Sequence, residues 1–162
     1  MLIANTVLRL TCLSICLAAL AWPQPPRPNF TGTWKLNVAA STHPPTSEVD
    51  RIDHRDPVII ITPTGRGDAS RSIEDRTDGE ELRDKVVTSG RIRAAHWEGN
   101  QLVLETKTPN YGGMNGLCRE VMSLSEDGKV MRREIHDGGG NQPWQILVFD
   151  KVSGDSEAAK EK

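Results

Sequence analysis

The chain has 162 residues, a net charge of −2 and 26% charged residues of both signs. That length suits one domain with a real core, and the balanced charge offers no basic field for nucleic acid. Aromatic residues reach only 4%, too few for a single-stranded nucleic-acid stacking platform.

Residues 1–21 read as a secretory signal peptide. Arg9 precedes an apolar run over 10–20, and Ala19-Leu20-Ala21 forms a small-residue cleavage signal ahead of Trp22. The run is shorter than the ~18–20 residues that cross a bilayer. The expectation is an exported protein, periplasmic or secreted, with no membrane span after cleavage. Neither Cys12 after Thr11 nor Cys16 after Ile15 fits a lipoprotein signal. Cleavage leaves Cys118 alone, so no internal disulfide is expected and burial must supply the stability. Cys118 itself reads as a small buried apolar side chain.

Residues 22–28 form a proline-rich, polyproline-like spacer. The domain is expected over 29–152, followed by a disordered polar tail over 153–162. Its opening strand spans 29–37, where Trp34, Leu36 and Val38 alternate with Thr33, Lys35 and Asn37. Gly32 gives the backbone freedom just before an indole that must be buried. Residues 39–49 read as loop, with room for one helical turn. Residues 51–56 are a charged segment ended by Asp56-Pro57, and 58–61 form the most apolar β-branched run, read as the most deeply buried strand.

From there the chain alternates short strands and turns. Strands are predicted over 69–76, 82–88, 92–98, 101–107, 118–124, 130–136 and 142–151. Turns fall at Gly65-Arg66-Gly67, Asp78-Gly79, Ser89-Gly90, Gly99-Asn100, Asp127-Gly128 and Gly138-Gly139-Gly140. A glycine-rich loop over 109–116 is a candidate lid. If Gly99-Asn100 is a two-residue turn, Glu98 pairs with Gln101, Trp97 with Leu102 and Ala95 with Leu104. One face is then Ala95, Trp97, Leu102 and Leu104; the other is His96, Glu98, Gln101, Val103 and Glu105. The Asp127-Gly128 turn likewise sets Leu124 opposite Met131. With no helix to cover its apolar face, an antiparallel meander of about 8–9 strands is expected to close into an up-and-down β-barrel. A two-sheet sandwich is the competing architecture. A monomer is expected.

Gly32-Thr33-Trp34, with Phe30 ahead of it, resembles the first-strand Gly-x-Trp signature of the calycin superfamily, which includes lipocalins and fatty-acid-binding proteins. Added to this are His54-Arg55-Asp56-Pro57, Thr77-Asp78-Gly79-Glu80, the run from Trp97 to Val103, the run from Leu124 to Lys129, and Val148-Phe149-Asp150-Lys151. Together these resemble exported lipocalin-like proteins of Acidobacteria. The chain departs from lipocalins proper at Gly79, where a Thr-Asp-Tyr motif has tyrosine. It also lacks the arginine near the last strand that packs over the tryptophan. The resemblance therefore implies a barrel of calycin type, binding a small apolar or amphipathic molecule.

Among candidate site residues, Arg93, Trp97 and Arg133 fall on the inward face and are expected to contact a ligand. A guanidinium inside an apolar barrel needs an anion, from a protein carboxylate or from the ligand. Fatty-acid-binding members of the superfamily are similar in using interior arginine for a ligand carboxylate. The other reading places both arginines at strand ends, reaching water. Trp34, Trp97 and Trp144 read as core. His43, His54, His96 and His136 show no metal-ligand spacing, and no catalytic constellation or cofactor motif emerges. Two further classes stay open. One is a solid-core interaction module; the other is an enzyme on the same scaffold using His54, His96 or Arg93.

Overall fold

The computed structural model describes residues 26–45, 48–64, 72–83, 90–111, 114–138 and 140–152. The signal segment, most of the spacer, the tail, and parts of the strands expected at 69–76 and 82–88 lie outside these. Among the described residues, ten strands form one antiparallel sheet. In chain order they are β1 (Gly32–Leu36), β2 (Val49–Arg55), β3 (Val58–Thr64), β4 (Ile73–Arg76) and β5 (Leu82–Arg83). There follow β6 (Ile92–Glu98), β7 (Gln101–Tyr111), β8 (Met114–Leu124), β9 (Val130–Asp137) and β10 (Gln145–Lys151).

Their order across the sheet is β4-β3-β2-β1-β10-β9-β8-β7-β6-β5, so consecutive strands pair everywhere except β4 and β5, which end the sheet, and β1 pairs with both β2 and β10. This is an up-and-down barrel of calycin type, with somewhat more strands than expected, and not a two-sheet sandwich. The two ends of the sheet meet at a seam between β4 and β6. There the Gly79 N–H donates to the Ala95 carbonyl, and Arg93 Nη2 donates to the Glu74 carbonyl at 2.9 Å.

The apolar interior is built from alternate residues of nearly every strand, including Trp34, Leu36, Ile52, Ile59, Ile61, Leu102, Met122, Met131, Leu147 and Phe149. Trp34 is fully buried, its Nε1 donating to the Phe30 carbonyl at 2.8 Å. The Lys151 ammonium sits 5.1 Å from the indole centre. The arginine missing from the last strand is thus replaced by a lysine that packs over the tryptophan. Gly32 makes this possible: its φ is +145°, and a Cβ there would lie 2.6 Å from Lys151 Cε.

The β6–β7 hairpin has the expected register, with Glu98 opposite Gln101, Trp97 opposite Leu102 and Ala95 opposite Leu104. Leu124 also faces Met131. Val103, on the outer face, is nevertheless buried, beside Val121.

Four expectations need correction. Residues 49–55, read as loop and charged segment, form β2; its inward side chains include Asp50 and His54, which hid the alternation. In β3 only Ile59 and Ile61 enter the core, so it is not the most deeply buried strand; in β1, Gly32, Trp34 and Leu36 are all buried. The 109–116 loop is largely strand. Thr108 pairs with Gly116 and Tyr111 with Met114 across a register shift, leaving no long lid. Trp144 is 54% exposed, because Gln145 beside it points inward and strand alternation turns the indole out.

Candidate functional site

The barrel interior differs between its two ends. At one end, residues 27–30 close the wall below β1. The Phe30 ring lies 6.2 Å from Trp97 and 5.9 Å from His54, and the Arg27 guanidinium lies 5.3 Å from the Trp97 ring. His54 is buried; its Nδ1 accepts from the Phe30 N–H, and its Nε2 lies 3.5 Å from Asp56. Burial pulls the His54 pKa below its usual value against the opposing pull of Asp56. Asp56 accepts from the Thr77 hydroxyl, which holds its carboxyl below the usual range.

The other half holds a cavity of about 420 Å³, half open to solvent and bordering the β4–β6 seam. Ile61, Ile73, Leu104 and Leu117 supply its apolar wall. Asp75, Arg93, Glu120 and Arg133 supply its polar wall, with Thr106 and Cys118 between them. Strand pairing explains the grouping. Arg93, Thr106, Cys118 and Asp137 form one row across β6–β9, while Glu120 and Ile135 belong to the row beside it.

Arg133 is the central charge. Its Nη1 donates to Asp50 at 2.6 Å and its Nη2 to Glu120 at 2.6 Å, while Glu48 lies 3.7 Å away. Its guanidinium carbon stands 5.7 Å from the Phe149 ring centre. Burial alone would lower its pKa, but Glu120, Asp50 and Glu48 outweigh that and raise it, so the group stays charged. Arg93 Nε lies 3.3 Å from Asp75. Burial pushes the Asp75 carboxyl up to about 6, with Arg93 acting against the shift and Glu120 and Glu74 adding to it. The Cys118 thiol is pushed up to about 11, first by burial and then by Glu120 and Asp137. It is half-buried at the cavity wall, not deep in the core, and a thiol so protonated is a poor nucleophile.

Arg93 and Arg133 therefore both line the cavity, and Trp97 does not: it lies at the other end, beside Phe30 and His54. The anion for Arg133 is supplied by protein carboxylates, and the two arginines do not lie along strand-end surface. The histidines do not enter the cavity wall. His54 is at the closed end. His96 points outward to Glu98 at 3.2 Å, and His136 lies near Glu134 on the outer face. The residues that sequence reasoning missed are Asp50, Asp75 and Glu120. Their strands alternate correctly, but an inward carboxylate on a short strand looks like an outward one until its partner is known.

No family model and no curated protein matches the chain. Several solved structures do. A secretory abundant heat soluble protein from Ramazzottius varieornatus superposes with a TM-score of 0.61 at 9% identity, over 80% of this chain and 98% of that one. A mutant of the fluorescent protein UnaG gives 0.56 at 15% identity, over 77% and 97%. Apo lipid binding protein 8 of Caenorhabditis elegans gives 0.53 at 10% identity, over 76% and 95%. The likeness is one of fold. It bears out a calycin-like barrel.

Proposed function

We propose that this protein is an exported carrier that holds a small amphipathic molecule in the open half of its barrel. The observation that carries the reading is the cavity itself. Its volume is in the range that encloses one small ligand, and its wall joins aliphatic side chains to a few convergent polar groups. A solid-core module would leave no such space. Similarity to a lipid binding protein adds support through shared architecture, and the signal-like segment over 1–21 supports export. In this reading Arg93 and Arg133 organise the carboxylates that meet the ligand's polar end, and Trp97 closes the barrel floor.

The test is native mass spectrometry of the full chain, purified without denaturation and followed by solvent extraction. A mass above that of the polypeptide, lost on extraction with recovery of a small molecule, is the expected result. A bare polypeptide, unchanged by incubation with a panel of fatty acids, alcohols and amines, would remove the carrier reading.

A further inference from the structure

The charges that line the cavity balance, Asp75, Glu120 and Asp137 against Arg91, Arg93 and Arg133, but its two buried guanidiniums are already held by carboxylates. Two guanidinium groups, Arg93 and Arg133, face four carboxylates: Asp75 beside the first, and Asp50, Glu48 and Glu120 around the second. Arg133 is already clamped between Asp50 and Glu120, and its side chain is 12% exposed, so a ligand carboxylate would have to displace one of these acids. Arg93 has Nη2 committed to the Glu74 carbonyl across the seam and Nε turned to Asp75.

Of these four carboxylates, Asp75 and Glu120 line the cavity. Asp75 lines the cavity with its side chain 3% exposed, and its Oδ1 completes no hydrogen bond; the Arg93 Nε beside it completes none either. Glu120 gives only Oε2 to Arg133, and its side chain is 27% exposed where the cavity meets it. A buried acceptor without a donor is costly, and a cation that brings donors would relieve it.

We propose that the cavity selects an amphipathic molecule whose head group is a protonated amine, seated against Asp75 and Glu120 with its hydrocarbon on Ile61, Ile73 and Leu104. This rests on the carrier reading and specifies its ligand class. It also runs against the arginine–carboxylate pairing that the fold would suggest. Burial raises both the Asp75 carboxyl and the Cys118 thiol, and Glu120 adds to each shift.

The experiment is isothermal titration of the full chain near neutral pH with three probes that differ only in head group: octylamine, octanol and octanoate. The expected order is amine, then alcohol, then carboxylate, with the amine at least about tenfold tighter than the alcohol. Equal affinity for amine and alcohol, or tighter binding of octanoate, would overturn the assignment and leave the carrier reading standing. Binding of none of the three would remove the carrier reading, and the head-group assignment with it. Asp75→Asn and Glu120→Gln give a second measure, with octanol binding as the control for an intact cavity. Each should bring the amine down toward the alcohol. An undiminished preference in both variants would show that these carboxylates do not read the head group.

Discussion

Replacing Arg133 by methionine tests the electrostatic core of the barrel. The substitution keeps most of the stem volume and removes the guanidinium that bridges Asp50 and Glu120 at 2.6 Å each. Asp50 is fully buried, so the variant takes the guanidinium away from a carboxylate that water does not reach. Two opposite charges about 4 Å apart attract by about 4 kcal/mol at an effective dielectric near 20, and breaking one side of a buried pair typically costs about 3–5 kcal/mol. A domain of this size has a total stability of about 5–15 kcal/mol, so R133M should lose about a fifth of it or more. Urea unfolding of wild type, R133M, D50N and the double variant closes a thermodynamic cycle. The double variant should recover at least half of the R133M deficit, because the buried carboxylate's charge has gone. An R133M stability within about 1 kcal/mol of wild type, or no coupling to Asp50, would refute the buried bridge.

Asp75 gives a pH dependence of opposite sign to the usual paired carboxylate. Its folded pKa is about 6 against 3.8 when exposed, so the folded state binds the extra proton and stability falls as pH rises from about 4 to about 6. The shift corresponds to about 3 kcal/mol, seen as a slope in wild type that D75N lacks; parallel curves for the two proteins would contradict it. Gly32→Ala should lose about 1–3 kcal/mol in denaturant unfolding, because alanine resists that positive φ and its Cβ would displace Lys151 from the Trp34 ring. Trp34 fluorescence should shift with it, and an unchanged midpoint would show that Gly32 is dispensable.

The barrel was legible because turn residues and alternation agree along most of the chain. The β6–β7 hairpin is the clearest case: Gly99 adopts φ of +61°, and the apolar pairs follow from that turn alone. β2 was hidden because its inward positions include Asp50 and His54, which read as surface until their partners are found. Those partners are far off in sequence: Arg133 is 83 residues from Asp50. Arg93 and Arg133 were recognisable as interior by alternation, yet the source of their counter-charge required the fold. Lys151 was overlooked as the cation over Trp34, since only strand pairing between β1 and β10 brings the two together. Trp144 was misplaced by its hydrophobicity alone, although its neighbour Gln145 sets the phase that turns it outward.

The most direct test of an occupied barrel is amide chemical-shift mapping by NMR as octylamine is titrated into the full chain. Saturable shifts should concentrate at Ile73, Asp75, Arg93, Leu104, Cys118 and Glu120, while Phe30, His54 and Trp97 at the closed end stay in place. Shifts confined to the outer face around His96 and Trp144, or no saturable shifts, would contradict an internal binding site.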